Sequence, residues 1–452
     1  MASTPPGGAP RPTRPVVYMH VGAAKSGTTY LQQVLWHNRH RLADAGVLYP
    51  GKDFAAHVRA AFDLRNTFFR GASDPTVKGA WGELVAEARD WPGTVIISQE
   101  LFAPTRAAYV RRALADLDFA DVHVVFTARD LGRQIPAHWQ EDVKNRFTTS
   151  FDEFISSIRR QDWRSYEVAR LFWGLQDPVA VLARWGADLP PERVHVVTLP
   201  RPGAPRDLLW QRFSAAVGIS PDDCDLSGSF SNPSLGLAET QFLREINITL
   251  DENRVDWHVY NDEVKLFLAQ EALIRRPSPI KIELPAEYLP WATERAIETV
   301  EDLRAAGYDV QGDLYDLIPM PSPAPAPAPH PDEPQWADMA DVGADAIAAL
   351  LQRIQAQEKR AARVPGAEIE LREWIESLQR DTAALLEITG DMAHDASPLT
   401  RRAAQNVTER YPAVRQLRGA YQRIQAKAGR TKTDQAKTGG SAPQSNTRGT
   451  HR

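Results

Sequence analysis

The segment VGAAKSGTTYLQ, Val21 to Gln32, places a lysine, two glycines and several hydroxyl side chains between an apolar run and a helical pattern. A turn of small residues at the start of a helix leaves backbone N–H groups unpaired, and the helix N-terminus carries a partial positive charge that suits an anion. Lys25 adds a full positive charge, and Ser26, Thr28 and Thr29 add hydroxyl donors. The alternative is that a threonine only caps the helix, but a cap needs no lysine. The segment therefore predicts a phosphate-binding loop.

The position of the lysine argues against a nucleoside triphosphate in this loop. In an ATP-type loop the lysine follows the second glycine, whereas Lys25 precedes Gly27. A Mg²⁺-dependent P-loop kinase or nucleotide hydrolase would also use an aspartate after a strand to hold its metal. A Mg²⁺-dependent kinase or nucleotide hydrolase is therefore the alternative enzymatic function. A third interpretation is a catalytically idle nucleotide-binding module whose helical C-terminus recruits partners.

The elements around the loop predict an α/β fold. Four apolar runs predict strands, and helical patterns separate them; the runs are PVVYMHVG, GTVIISQE, VHVVFTARD and RVHVVTLP. Such alternation is typical of a parallel sheet with helices on both faces. Ligands of these sheets bind outside the carboxyl ends of the strands. Those ends are Gly22–Thr29, Ser98–Glu100, Thr127–Arg133 and Thr198–Arg201.

The chain divides at a Pro/Ala-rich stretch, PMPSPAPAPAPHPDEP, which is typical of an extended linker. We predict a disordered leader over 1–14, an α/β domain over 15–318, a linker over 319–335, a helical region over 336–430 and a disordered basic tail over 431–452. Apolar residues recur at helical spacing from Ile347 to Ile354 and from Leu371 to Leu378. These stripes predict self-association through the C-terminal helices, or packing on each other or on the first domain.

Composition indicates an ordinary globular protein, with 43% hydrophobic and 25% charged residues. The single cysteine, Cys224, allows no internal disulfide and favours a reducing compartment. The N-terminus has no apolar core and no run reaches the length of a membrane span, so the sequence predicts a cytoplasmic protein.

The net charge is unevenly distributed along the chain. Residues 401–452 hold 12 Lys/Arg and 2 Asp/Glu, a balance of +10, which leaves −15 for residues 1–400 within the total of −5. We expect a solvated tail, with weak contact to a membrane surface as the alternative and no nucleic-acid partner.

The segment AAKSGTTYLQ resembles the 5′-phosphosulfate loop of the sulfotransferases that use 3′-phosphoadenylyl sulfate (PAPS), in their bacterial form. The usual pattern is P-K-[SA]-G-T-[ST]-[WY]-[LI], and this chain matches it from Lys25 to Leu31, with Ala24 in place of the proline. The resemblance implies a P-loop-NTPase-like sulfotransferase fold and PAPS as the sulfuryl donor. It also implies donor-binding roles for Lys25, Ser26, Gly27, Thr28, Thr29 and Tyr30.

A second segment, VVFTARDLGRQIPAHWQE, is similar to the family's 3′-phosphate motif, R-[DN]-P-x-x-R-x-x-S-x-[YW]. Arg129 and, after one deletion, Arg133 match its arginines, which implies that they hold the 3′-phosphate. Leu131 replaces the proline, and Pro136 stands where the serine is expected. The alternative for Arg129 is a salt bridge with Asp130 or another neighbour. A later polar loop offers Ser231, Asn232 and Ser234 as weaker phosphate contacts.

The resemblance also implies catalytic roles. Lys25 would stabilise the bridging oxygen of the leaving nucleotide, and Glu100, just past a strand, would accept the proton of an acceptor hydroxyl or amine on a glycan, lipid or small molecule. Glu100 would need a pKa raised by burial; the alternative is that it caps a following helix. His20 and His138 are secondary candidates, and no metal is expected.

Overall fold

The structure is a computed structural model that describes residues 14–68, 74–228, 234–250, 255–321, 328–333 and 336–361. These residues form two compact units. The first lies within residues 1–335 and includes 348–350, and the second comprises the other described residues from 336 onward. The described parts of the chain contain no helix long and apolar enough to cross a membrane.

A six-stranded, all-parallel sheet forms the centre of the first unit, with strand order β2-β3-β1-β4-β5-β6. The strands are β1 (Val16–Gly22), β2 (Val47–Leu48), β3 (Thr94–Ser98), β4 (Asp121–Ala128), β5 (Val194–Thr198) and β6 (Asp309–Gln311). All four predicted strands are present, and the α/β class with a parallel sheet is confirmed. The sequence missed β2 and β6, which are two and three residues long.

Helices lie between the strands. They are α1 (Thr28–His37), α2 (Arg39–Asp44), α3 (Ala56–Arg65), α4 (Ala80–Arg89), α5 (Ala107–Asp116), α6 (Leu131–Lys144), α7 (Phe151–Arg159), α8 (Glu167–Gln176), α9 (Pro178–Trp185), α10 (Leu208–Ala216), α11 (Leu237–Thr249), α12 (Trp257–Val259) and α13 (Leu289–Ala306). A π-helix, Tyr260–Ala272, continues from α12. Two helices, α1 and α2, follow the loop, because Asn38 ends α1 and donates its side-chain amide to the carbonyl oxygens of Val34 and Asp225.

Apolar clusters cover both faces of the sheet, as predicted for buried parallel strands. On one face, Val17, Met19 and Val21 of β1 belong to a core cluster that also contains residues of α3, α4 and α9. On the other face, Ile96, Val125 and Val197 pack with buried residues of α1 and α10. The sheet is thereby buried between two helical layers.

The carboxyl edge of the sheet brings three strand ends together. The central strand β1 pairs with β3 and with β4, so the chain moves to one side of β1 and then crosses to the other. The backbone pairing continues beyond the strands: Ala23 N–H donates to Thr127 O at 2.8 Å, and Gln99 N–H donates to His20 O at 3.0 Å. This crossover point is where doubly wound sheets bind ligands.

Helix α14 (Trp336–Ala361) belongs to the second unit except for residues 348–350, and it confirms a helix at the start of the predicted C-terminal helical region. The second predicted stripe, from Leu371 to Leu378, lies outside the described residues, as do the basic tail and most of the leader.

Candidate functional site

The loop after β1 has the backbone of an anion site. Lys25 and Gly27 both have left-handed conformations, with φ of 63° and 86°. Helix α1 begins at Thr28 with Gly27 as its N-cap, and no side chain caps it. Neither Thr28 nor Thr29 therefore caps the helix, although the sequence allowed that role for a threonine. Alternating left-handed residues before a helix turn successive N–H groups toward one point, a concavity suited to an anion.

Buried hydroxyl groups hold this loop from below. Ser26 donates to Ala23 O at 2.6 Å and lies 2.5 Å from Thr127 Oγ1, which itself donates to Gly22 O at 2.8 Å. Since Ser26 is fully buried, its hydroxyl fixes the loop, and its backbone amide is the part of this residue suited to an anion.

His20 belongs to the same buried layer. Its ring nitrogens lie 2.7 Å from Ser98 Oγ and 3.3 Å from Thr127 Oγ1, and burial lowers its pKa to about 3. His57 continues the layer: its Nε2 donates to Pro50 O and its Nδ1 accepts from Ser98 N–H. His20 is therefore neutral and links three neighbouring strands through its ring nitrogens.

Lys25 forms an ion pair that the sequence did not predict. Its Nζ lies 2.6 Å from Glu141 Oε2. Burial lowers the pKa of Lys25, but the Glu141 carboxylate outweighs burial and the net pKa is raised. In turn, burial would raise the pKa of Glu141, yet Lys25 and Lys144 hold it well below its usual value. Glu141 is ionised and charge-paired, so it orients Lys25 and is a weaker base than an ordinary carboxylate.

Two further lysines surround Glu141. Lys144 Nζ lies 2.6 Å from the same carboxylate oxygen, Oε2, that Lys25 contacts. Lys265, from the π-helix, donates to Asn145 Oδ1 at 2.6 Å. Burial lowers the pKa of Lys144 to about 8, with Glu141 opposing and Lys25 and Lys265 adding to the decrease. We call Lys25, Lys144 and Lys265 around Glu141 the lysine cluster.

Two arginines at the end of β4 have buried donors available for a ligand. Arg129 Nη1 donates to Lys25 O at 2.8 Å, which ties this arginine to the loop. Among the described residues, no hydrogen-bond partner reaches the buried Arg129 Nε or Arg133 Nη2. Burial, with Arg133 adding to it, lowers the pKa of Arg129 to about 10. Buried guanidinium donors without partners are costly, and an anion would satisfy them.

Asp130 pairs with Arg133, not with Arg129. It caps α6 by accepting the Arg133 backbone N–H at 3.0 Å, and its other oxygen accepts from Arg133 Nε. Arg133 Nη1 donates to Pro200 O at 3.2 Å. The salt bridge considered as an alternative for Arg129 is thus made by its neighbour, which leaves Arg129 directed at the loop.

Glu100 lies one residue beyond Gln99, at the start of a short 3₁₀-helix, Glu100–Phe102. Gln99 supplies the cap by accepting from Leu101 N–H, so Glu100 does not have the capping role considered for it. Gln32 donates to Glu100 Oε2 at 3.0 Å. Burial raises the pKa of Glu100, while the Gln32 hydrogen bond and the Lys25 charge oppose the shift. A raised pKa is what a carboxylate base working near neutrality requires.

His138 is buried on α6, beneath the same site. Its Nδ1 accepts from Gln176 Nε2 at 3.1 Å, which places the ring hydrogen on Nε2, 3.5 Å from Asp142 Oδ1. Burial lowers the pKa of His138 to about 3, so it is neutral. Gln134 bonds both Gln176 and the loop carbonyl of Ala24, so these side chains connect α6 and α8 to the loop.

One cleft of about 1870 Å³ joins these groups. It is lined by most of the predicted site residues: Lys25, Gly27, Thr28, Thr29, Glu100, Arg129 and Arg133. Ser26 and Tyr30 do not line it, and Tyr30 is only partly buried. Ser234 does, whereas Ser231 and Asn232 lie outside the described residues. The cleft exceeds the 300–1,000 Å³ or so of a typical small-molecule site, and so has room for two substrates.

Sequence reasoning missed Glu141, Lys144, Lys265 and Gln134. The i, i+3 spacing of Glu141 and Lys144 on one helix was visible, but it is usually only a surface pair. Pro136, found where the resemblance led us to expect a serine, lies inside α6 and also lines the cleft. In that helix it has no side-chain donor to offer to an anion.

Other candidate groups lie elsewhere. Within the described residues, one group of three potential metal ligands comes together, Asp152, His330 and Asp332. Asp332 there accepts the backbone N–H groups of Phe151 and Asp152 at the start of α7. Cys224 is buried, and burial raises its pKa to about 12, so its thiol is inert.

No family model matches the chain, and no curated protein matches it. Among solved structures, it is similar to the crystal structure of a sulfotransferase from Alicyclobacillus acidocaldarius, with 17% sequence identity and a TM-score of 0.29. The likeness covers 54% of this chain and 98% of that one. At this TM-score the likeness assigns neither a family nor an activity.

Proposed function

We propose that the protein is a sulfotransferase that moves a sulfuryl group from PAPS to a hydroxyl or amine of an acceptor. The observation that carries the proposal is the contact between Arg129 and the loop after β1. Arg129 donates a hydrogen bond to the carbonyl oxygen of Lys25, while its Nε is buried without a partner among the described residues. One anionic ligand with two separated phosphate groups would satisfy both the loop amides and the arginines. PAPS has this arrangement, with its phosphosulfate and its 3′-phosphate.

In this proposal, PAPS supplies an activated sulfuryl group. Glu100 takes the proton of the acceptor as the new O–S or N–S bond forms, and the S–O bond to the nucleotide breaks. Lys25 stabilises the negative charge that appears on the oxygen left behind. The loop amides add fixed dipoles at the same place, where preorganised donors are worth the most. Adenosine 3′,5′-bisphosphate (PAP) and the sulfated acceptor are then the products.

Lys25 must exchange partners for this role. Without ligand its ammonium group lies 2.6 Å from Glu141. A donor oxygen would replace that carboxylate as the contact of Lys25, while Lys144 keeps Glu141 neutralised at 2.6 Å. The carboxylate therefore does not become an unpaired buried charge when Lys25 moves. The single cysteine favours a reducing compartment, and a cytoplasmic location is part of the proposal.

Thermal unfolding with nucleotides tests the proposal. PAP without metal should stabilise the protein, by about 2.7 kcal/mol at a hundred times its Kd, and ATP or GTP should do less with or without Mg²⁺. Lys52→Gln, an exposed lysine that is paired with Glu83 and lies outside the cleft, is the control and should respond like wild type. Mg²⁺-dependent stabilisation by ATP would instead indicate a kinase or hydrolase. PAP binding without sulfate transfer to any acceptor would indicate an idle binding module.

A further inference from the structure

The cleft has walls of two chemical kinds. One wall is polar and charged, because the loop after β1, Arg129, Arg133 and the lysine cluster line it. The other is apolar, and we call it the apolar wall. Its members are all half-buried side chains: Val58, Phe62, Leu101, Pro104, Leu171 and Leu175. Sites for small molecules combine such an apolar lining with a few polar groups that fix the orientation of the ligand.

Two helices each contribute a pair of side chains to the apolar wall. Val58 and Phe62 are four residues apart on α3, and Leu171 and Leu175 have the same spacing on α8. Residues at this spacing lie on one face of a helix. Consecutive turns of both helices therefore present apolar groups to the cleft, so the lining follows from two helix faces rather than from scattered side chains.

The apolar wall adjoins Glu100, the proposed base. Leu101 follows it directly on the short 3₁₀-helix, and α3 packs against that helix. At the end of α3, Arg65 Nη1 donates to Leu101 O at 3.2 Å. On the side of α8, a Cβ added at Gly174 would lie 3.5 Å from Pro104 Cβ. Both helices thus contact the segment that begins with the proposed base.

The arginines of α3 that line the cleft already have protein partners. Arg59 donates to both carboxylate oxygens of Asp53, at 3.0 and 2.8 Å, and Arg65 donates to Leu101 O. An acceptor with many hydroxyl groups would give up hydrogen bonds to water here, and aliphatic or aromatic side chains cannot replace them. An apolar acceptor would instead displace water from apolar side chains that are half exposed, which is favourable.

We propose that the acceptor carries its hydroxyl or amine on an apolar body, an alkyl chain or an aromatic ring, and that this body lies against the apolar wall. This inference rests on the proposed function, because it assigns the substrate class of the same reaction. The acceptor's proton goes to Glu100, its oxygen or nitrogen forms the bond to sulfur, and PAP leaves. Free sugars and glycans are the class that the apolar wall disfavours.

Phase separation of cell extract before the reaction tests the substrate class. Extract is partitioned between chloroform/methanol and water, both phases are dried and redispersed in buffer, and each is incubated with wild-type protein and ³⁵S-labelled PAPS. Label should appear mostly in molecules from the organic phase. Label mostly from the aqueous phase, or equally from both, overturns the inference and leaves the sulfotransferase proposal standing. Label from neither phase overturns the sulfotransferase proposal, and the inference with it.

A matched pair of leucines tests the apolar wall itself. Leu175 and Leu114 are both half-buried and pack against the same core cluster, but Leu114, on α5, does not line the cleft. With the organic phase as acceptor, Leu175→Asn should raise the apparent KM about 10-fold, the loss expected when about half of a leucine's transfer free energy is forfeited. Leu114→Asn should keep the KM of wild type, and Leu175→Met should keep most of the affinity.

PAP affinity separates a contact with the acceptor from a general disturbance of the fold. Leu175→Asn should bind PAP as wild type does, because Leu175 belongs to the apolar wall and not to the loop or the arginines. An apparent KM that is unchanged in Leu175→Asn, or raised equally in Leu114→Asn, overturns the inference. A parallel loss of PAP affinity would mean that the substitution acts through the fold, and it contradicts the assigned contact in the same way.

Discussion

At the scale of single residues, Lys25 and Glu100 both have raised pKa values, and Lys25 also has a strained backbone. Lys25 has a left-handed backbone that costs a non-glycine residue about 1–2 kcal/mol, and its ammonium group is held by Glu141. Glu100 has a raised pKa at the end of the neighbouring strand. Perturbed groups of this kind cluster at functional sites, and both lie in one cleft.

The first prediction concerns Glu100. Glu100→Gln should reduce kcat by about 10²–10⁴-fold and leave PAP affinity nearly intact, because the change removes the base and not a phosphate contact. Since the basic form is ionised, the rate of the wild type should rise with pH through the raised pKa of Glu100, above the ordinary value of 4.5. The pH profile of kcat/KM measures this limb. A fully active Glu100→Gln would refute the assignment.

The second prediction concerns Glu141. Glu141→Gln leaves Lys25 and Lys144 around a neutral amide, so we expect a loss of about 1–3 kcal/mol in the free energy of unfolding, measured by urea denaturation. PAP or sulfate should stabilise this variant more than wild type, since the anion replaces the lost charge. Glu83→Gln, which breaks the exposed pair with Lys52, is the control and should change little. Equal losses in the two variants would contradict the special role of Glu141.

At the residue level, the sequence predicted where the loop residues and Arg129 lie, because type and spacing were local; their roles stay predictions. The loop residues and Arg129 follow strands directly, and the topology rule brings them to one edge. Glu141 could not be found in this way, because its partner Lys25 comes from a distant part of the chain and only the folded structure makes them neighbours. Sequence also could not show that Asp130 pairs with Arg133 and leaves Arg129 for the loop.

At the scale of elements, the strand-loop-helix unit depends on the close approach of helices α1 and α10. A Cβ at Gly27 would lie 2.4 Å from Leu209 Cδ2 on α10, so a larger residue at this position would displace either the Leu209 side chain or the loop. The long apolar strands were predictable from their composition. The strands β2 and β6 were not, because two or three residues at the sheet edges show no periodicity.

The third prediction compares two glycines with the same backbone. Gly27 and Gly79 are both helix N-caps, with φ of 86° and 88°. Of the two, Gly27 alone has a neighbouring atom within 4 Å of an added Cβ. Gly79→Ala should cost about 1–2 kcal/mol through backbone strain alone. Gly27→Ala should cost more and reduce PAP affinity, because the clash with Leu209 displaces the loop. Thermal unfolding with and without PAP measures both. Equal effects would show that the loop's packing is unimportant.

At the scale of the whole molecule, three buried histidines make stability depend on pH. His20, His57 and His138 are at most 3% exposed, and burial lowers their pKa values from 6.5 to about 3, 4 and 3. Between pH 6.5 and 4 the unfolded chain binds more protons at these groups, so stability falls as pH falls through this window.

The fourth prediction follows from these histidines. The free energy of unfolding should decrease below pH 6.5, by up to about 1.4 kcal/mol per pH unit for each group. Urea denaturation between pH 7 and 5 measures the slope, above the range where most carboxylates titrate. His57→Gln should have a shallower slope than wild type. A free energy that is constant from pH 7 to 5 would contradict the buried neutral state.

The fifth prediction concerns the two units. The residues that line the candidate site lie within 1–335, and the first unit also includes 348–350, so a chain truncated after residue 350 should fold and bind PAP with unchanged affinity. We also expect the full chain to self-associate through its C-terminal helices and the truncated chain to be monomeric, as sedimentation velocity would show. Loss of PAP binding on truncation would mean that the second unit contributes to the site.

The transfer reaction itself tests the central claim most directly. Cell extract is incubated with ³⁵S-labelled PAPS and either wild-type protein or Lys25→Ala, and label in acceptor molecules is counted. Wild type should transfer label, and Lys25→Ala should transfer at least about 10²-fold less, the loss expected when one stabilising donor is removed from a transition state. Equal transfer by the two proteins, or none by wild type while PAP still binds, would contradict a sulfotransferase centred on Lys25.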